Sequence, residues 1–406
     1  MTFNLPNGNN FMNKKMTSRD TAPARRHGWK PAAMACIMAA MAASAPAQEF
    51  VPETLKDGVA LPADMPRIYV GDFAIGHLMD GRINVLDGRS GKYAGVIDGG
   101  FAGHFTASPD GKQLYVATTY LTRHTHGERH DVVEIYDADT LRITGDVELP
   151  PKRAQSAYQQ TLSRTSHDGR YLFVQNATPA TSVSVVDVRD KKMLVEVPTA
   201  GCWGIYPSQT EALRFSMLCG DGKLATVTLD AEGKVSGRAV SAKFFDSGTD
   251  PIFTAMVADQ ARYYFIGFTG TLFRADLRGA EPVLENAVQV VPAAERKAGW
   301  RPGGYQLLAL DTARKQLFVG MHAKGVEGSH KTPAQEIWTL DLASGKRLAR
   351  TRALNAIALT VSQKAPNYLY AINGATNQLV AYQLPGLRQV FVSAPIGEAP
   401  LQVDAP

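Results

Sequence analysis

The strongest constraint on this chain is a strand unit that recurs along its length. "SPDGKQLYVATT" (108–119) and "SHDGRYLFVQNA" (166–177) share a polar turn, an Asp-Gly pair and an unbroken apolar run. "DTARKQLFVGMH" (311–322) and "SQKAPNYLYAIN" (362–373) are looser copies. After a variable loop comes a partner run: "DVVEIYDADT" (131–140), "SVSVVDVRDK" (182–191), "EIWTLDLASGK" (336–346) and "QLVAYQLPGL" (378–387). Short β-rich runs bounded by turn residues read as strands, and Asp-Gly suits a tight turn that needs positive φ. A single unit would leave apolar faces wet; packing such sheets radially buries them and leaves only short edges, which is the β-propeller solution. Seven units, with periods of roughly 42–65 residues, fit between Arg67 and the C-terminus. The expected fold is therefore an all-β, seven-bladed propeller over residues 67–406. Its weakest pattern lies at 253–291, and "ENAVQVVPAAERKAGW" (285–300) reads as an insertion with a short helix.

The start of the chain differs in kind. "MNKKMTSRDTAPARRHGWK" is basic, "PAAMACIMAAMAAS" is small and apolar, and Ala45 and Ala47 form an A-x-A pattern. Residues 1–47 thus read as a secretory signal cleaved after Ala47, and 48–66 as an extended arm without strand pattern. The apolar run is too short for a membrane span. The full chain has 43 Lys+Arg against 38 Asp+Glu. Six of those bases (Lys14, Lys15, Arg19, Arg25, Arg26, Lys30) and only one acid (Asp20) leave with the signal, so the remainder carries 37 of each. That balance argues against a nucleic-acid partner. Cys36 leaves too. Cys202 and Cys219 remain, and a lone pair in an exported chain is most simply a disulfide. The rival, a free nucleophilic thiol, lacks a neighbouring base in the sequence.

Catalytic chemistry is hard to find. "TRHTHGERHD" (122–131) gathers His124, His126 and His130, which could hold zinc or copper if Glu128 supplied a fourth ligand. The repeat places the stretch between two strands of one blade, where a solvated hairpin is expected, and Arg123 and Arg129 would oppose a cation. The polar loop is the preferred reading, with no metal site assigned. His77, His104, His167, His322 and His330 are scattered, and no Ser or Cys stands in a nucleophile motif. No phosphate loop appears, since "GWRPGGY" (299–305) lacks the Lys-Ser/Thr such loops need. Trp203, Trp300 and Trp338 suit either packing or an interface.

Several stretches, in order, resemble the heavy subunit of aromatic amine dehydrogenase and, more distantly, that of methylamine dehydrogenase. They are "TTYLTRHTHGERHDVVEIYDADTL", "ELPPKR", "QNATPATSVSVVDV", "AGCW", "CGDG", "TDPIF", "RPGGYQL" and "HKTPAQEIWTLD". The resemblance runs from about Arg67 to near the C-terminus. It implies a periplasmic α2β2 enzyme that deaminates primary amines, arylalkyl amines in particular, to aldehydes and ammonia. It implies no cofactor in this chain: a tryptophan tryptophylquinone sits on the small subunit, which also supplies the catalytic base, and electrons leave to a blue copper protein, azurin or amicyanin. Catalytic residues are accordingly expected on the partner. Phe101 in "DGGFAGHF" matches the family phenylalanine that lines the substrate channel; the plainer alternative is a core residue at a strand start. Cys202 and Cys219 match the family's heavy-chain disulfide. Within the first stretch the three histidines do not carry over, since relatives place basic and small residues there, and "SAYQQTLSRT" (156–165) departs from the aromatic-amine pattern. The alternatives are a methylamine dehydrogenase heavy chain and a stand-alone periplasmic propeller, ligand-binding or lactonase-like.

Overall fold

The computed structural model describes residues 60–406; the expected signal (1–47) and the arm up to residue 59 lie outside them. Ala60–Pro66, the described end of that arm, carries no strand, and Leu61 N donates to Asp139 O at 2.8 Å. From Arg67 on, antiparallel sheets follow one another along the chain. The second runs His104–Ala107, Gln113–Leu121, Arg129–Asp137, Ile143–Leu149, each strand beside the next. The third (Ser163–Thr165 to Lys192–Pro198) and the fourth (Cys202–Pro207 to Val235–Val240) repeat that meander. In the fifth, Ile252–Asp259, Arg262–Gly267 and Thr271–Asp276 are followed by an outer edge broken into Val283–Leu284 and Val288–Gln289.

An eight-stranded sheet comes next, and one strand, Arg347–Val361, runs through its middle. Its first half pairs with Ala334–Asp341 and its second with Tyr368–Asn373. Between the halves, Leu354 and Asn355 both have positive φ, 48° and 58°, which bends the strand. The first sheet closes the molecule: Pro400–Asp404 pairs with Arg67–Asp72, so the last strand of the chain lies innermost in the sheet that opens it. Asp72 ties the closure, its Oδ1 accepting from the backbone N–H of Ala399 at 2.7 Å and of Glu398 at 3.1 Å. Radial closure leaves only short edges, the inner ones lining the axis.

The core lies between sheets, and this explains the unbroken apolar runs. On Gln113–Leu121, Leu114 and Val116 join a cluster with the first sheet, while Tyr115 and Ala117 join one with the third. Successive side chains point to opposite faces, so a strand sandwiched between two neighbours must be apolar on both. The same arrangement joins third to fourth through Phe173 and Phe215, fourth to fifth through Tyr206 and Phe265, and fifth to sixth through Ile266 and Val319. A further cluster, including Phe318, Ile337, Leu369 and Tyr382, lies between the two halves of the eight-stranded sheet. This is an all-β propeller. The insertion's helix is Ala293–Lys297, held by Glu295 to Arg350 at 2.9 Å. Among the described residues no helix is long and apolar enough to cross a membrane.

Candidate functional site

In a four-stranded meander, the turn between second and third strands and the link to the next sheet emerge on the same face. That face collects nearly every feature singled out in the sequence. It holds Phe101 in the first link, the histidine hairpin, the disulfide, and the loop 323–333.

Phe101 stands in a turn between the outermost strand of the first sheet, Tyr93–Gly100, and the innermost of the second, His104–Ala107. Its neighbours Gly100 and Ala102 both have φ near +50°. At Gly100 a Cβ would be strained by that backbone and would run into Thr118 Oγ1; at Gly103 it would strike the carbonyl of Gly99. The sequence "GGFAG" is thus the shape of the turn itself. Phe101 N donates to Thr119 O at 3.1 Å, and its side chain is half-buried.

Beneath the turn lies Arg153, 1% exposed. Its guanidinium donates to the carbonyls of Phe101 (2.7 Å), Ala102 (2.8 Å) and Ala154 (3.0 Å), and to Thr119 Oγ1 (2.8 Å). Arg153 N donates to Asp131 Oδ2 at 2.9 Å, and Thr119 Oγ1 donates to Asp131 Oδ1 at 2.6 Å. Arg129 closes the network with two bonds to Asp131, at 2.8 and 2.7 Å, and one to Arg153 O at 2.9 Å. Burial pulls the Arg153 guanidinium down to about 10, partly offset by the charge of Asp131, so it stays protonated at neutral pH. His104 abuts it, Nδ1 lying 3.2 Å from Arg153 Nη1. Burial first, then the Arg153 charge, push the imidazole down to about 3. A neutral ring accepting from arginine at Nδ1 must carry its proton on Nε2, which faces Ala157 O at 3.4 Å. The neighbouring Tyr158 ring is edge-on to Phe105 and His104.

The other sequence candidates are placed as follows. Cys202 and Cys219 lie opposite each other on adjacent strands of the fourth sheet and form a disulfide. Thr122–Glu128 is the hairpin turn between Gln113–Leu121 and Arg129–Asp137. Its histidines go separate ways: His124 toward Asp80 (3.4 Å), His126 toward Thr125 (3.3 Å), His130 toward Glu148 (3.3 Å). Among the described residues no group of three His, Cys, Asp or Glu is placed to hold a metal. Trp300 and Trp338 lie 5.6 Å apart, but Trp338 is fully buried and the guanidiniums of Arg347 and Arg350 cover the pair. A substrate could not reach it, so these residues do not fit a quinone built within this chain. Sequence reasoning missed Arg153, Asp131 and Thr119, and took His104 only as one of the scattered histidines. Their one signal was that Arg153 stands in "ELPPKR", and Thr119 and Asp131 in "TTYLTRHTHGERHDVVEIYDADTL", among the stretches that carried the resemblance.

The match to known proteins decides the family. The model for the methylamine dehydrogenase heavy chain matches residues 64–403. The chain belongs to the methylamine dehydrogenase heavy chain family. The methylamine dehydrogenase heavy chain of Paracoccus versutus is 31% identical over 327 residues, covering 79% of this chain and 74% of that one. The heavy chain of Methylorubrum extorquens is 28% identical, covering 93% and 90%. Among solved structures, a candidate 6-phosphogluconolactonase of Bacteroides fragilis superposes with a TM-score of 0.57 at 11% identity, covering 87% of this chain and 99% of that one. The dihydro-heme d1 dehydrogenase NirN gives 0.52 at 15%, covering 85% and 68%. At such identities the two structures speak for the propeller alone.

Proposed function

We propose that this heavy chain is the large subunit of a periplasmic amine dehydrogenase that oxidises arylalkyl amines, with Phe101 as a wall of the substrate channel. The carrying observation is the Phe101 turn: a half-exposed aromatic ring on a backbone fixed by a fully buried arginine, on the face where Ile75, Leu78, Phe253 and Val326 are exposed. Four large apolar side chains on one face favour a protein partner there. That partner is the small subunit of an α2β2 assembly, which bears the tryptophan tryptophylquinone. When bound, the quinone supplies the sink for the two electrons of amine oxidation, and a blue copper protein, azurin or amicyanin, takes them on. This chain contributes an apolar wall that orients the amine's ring and excludes water. Arylalkyl preference is supported by the sequence stretches closest to the aromatic-amine type, against a methylamine alternative supported by the curated relatives. We also count seven blades, reading the eight-stranded sheet as two joined at the Leu354–Asn355 bend, because an inter-sheet core lies between its halves.

The test is co-expression with the small subunit and its maturation proteins, followed by quinone absorbance and turnover of tyramine and methylamine. Bleaching by tyramine at higher kcat/KM than by methylamine is expected. A complex that bleaches only with methylamine overturns the arylalkyl reading, and a chain that never takes up a partner overturns the subunit reading.

A further inference from the structure

We propose that the axial tunnel of the propeller holds a binding site for a small carboxylate, with Arg164 as its cationic ligand. The innermost strands surround a cavity of about 360 Å³ whose lining includes Gln160, Arg164, Gln209, Met256, Gln306 and Gln363. Gln209 and Gln363 follow the innermost strands into their first turns, so the cavity reaches toward the face opposite Phe101.

The polar groups around it divide sharply. The Gln306 amide is spent on the carbonyls of Leu359 (2.8 Å) and Val403 (2.7 Å) and accepts from Val403 N at 3.2 Å. Gln363 donates to Leu310 O at 2.7 Å and accepts from Thr312 Oγ1 at 2.6 Å. Gln209 faces Pro207 O and the Tyr263 hydroxyl, both at 3.3 Å. Asp404 is bound by the amides of Gln160 and Gln402. Arg164 lines the cavity without a hydrogen bond to any described residue, and its Nε is buried. It senses Asp404 through space, and that carboxylate's two oxygens each accept from an amide, of Gln160 and of Gln402.

A guanidinium that lines a cavity with its Nη groups bonded to no described residue calls for an acceptor, since leaving it unmade forfeits a charge-assisted bond. The Nη1–Nη2 end is a planar fork that matches a carboxylate with two parallel bonds. The volume exceeds what a halide would fill and lies at the small end of ligand cavities, with room for a short chain or one ring. Met256, Leu308 and Val361 give the tail an apolar wall. The charge of Asp404 is the opposing element, and it makes the site weaker than the arginine alone would.

The experiment uses the full purified chain, in complex with its partner where the two co-purify. Calorimetric titration with benzoate at constant ionic strength should give saturable binding of one equivalent, and benzyl alcohol, the same ring without the carboxylate, should give none. Arg164→Gln should weaken benzoate binding roughly ten- to hundredfold. Asp404→Asn, close in shape, should tighten it severalfold by removing the competing charge. Absence of saturable binding, equal binding of the alcohol, or full affinity in Arg164→Gln overturns the proposal. Should Arg164→Gln not fold, the Asp404→Asn arm decides: unchanged or weakened affinity there overturns it as well.

Discussion

Removing Arg153 is the sharpest test of the Phe101 turn. In Arg153→Met a flexible apolar chain replaces the guanidinium in a site that is 1% exposed. Three carbonyls, those of Phe101, Ala102 and Ala154, lose their donor, as does His104 Nδ1, and Thr119 Oγ1 keeps only the Gln155 amide. At about 1 kcal/mol net for each of these five bonds, the sum is about 5 kcal/mol. Relief of the buried charge offsets part of it, since Arg153 touches Asp131 only through its backbone N–H. Asp131 keeps Arg129, so no carboxylate is orphaned. The expected loss is about 3–5 kcal/mol, within the range for breaking a buried charged network. Urea unfolding measures it, and His104 provides an independent readout. Its imidazole is held down by burial and then by the Arg153 charge. In the variant, NMR titration should find it raised, though still below an ordinary histidine because burial persists. Amide exchange at Phe101 and Ala102 should quicken at the same time. A variant of unchanged stability, or one in which His104 does not move, would refute the clamp.

Three further outcomes are expected. Phe101→Ala should leave assembly intact and shift the tyramine-to-methylamine ratio of kcat/KM by roughly ten- to two-hundredfold, the worth of about 1–3 kcal/mol of apolar contact; an unmoved ratio removes Phe101 from the channel. Cys202→Ser opens a loop of sequence separation 17 and should cost about 3 kcal/mol by loop-closure entropy, read as a lower Tm; equal melting of the two proteins would contradict this. Burial alone would raise the Glu336 carboxyl, but bonds from Arg350 and the Trp338 indole hold it below the ordinary carboxylate range. Its contribution is therefore complete above the unfolded carboxylate value and disappears as pH falls through the lowered folded one. Glu336→Gln should flatten the acid side of the stability profile, and parallel profiles for the two proteins would show that the shift is absent.

How far the fold was legible follows from what each strand faces. The runs "LYVA" and "LFV" stood out because both faces of those strands are buried between sheets, so the sequence there has no polar alternation to hide in. The stretch 253–291 was faint because the outer edge of its sheet is broken at Glu285–Ala287, and an edge strand facing solvent needs no apolar run. The bend at Leu354–Asn355 left no trace, because residues other than glycine take the positive φ there. At the site, the limit shows in two adjacent bases. Lys152 and Arg153 sit side by side in "ELPPKR", yet Lys152 reaches out to Glu196 at 2.8 Å while Arg153 turns wholly inward. Nothing local distinguishes them; the choice is made by carbonyls some fifty residues earlier, at Phe101 and Ala102. Those carbonyls point into the protein because Gly100 and Ala102 adopt left-handed backbone. Several acceptors converging on one point select a planar fork with five donors over an ammonium with three. An Arg153→Lys chain could keep the charge, but its three donors could not serve the three carbonyls, Thr119 Oγ1 and His104 Nδ1 together, so the burial of that arginine is a consequence of the turn that presents Phe101.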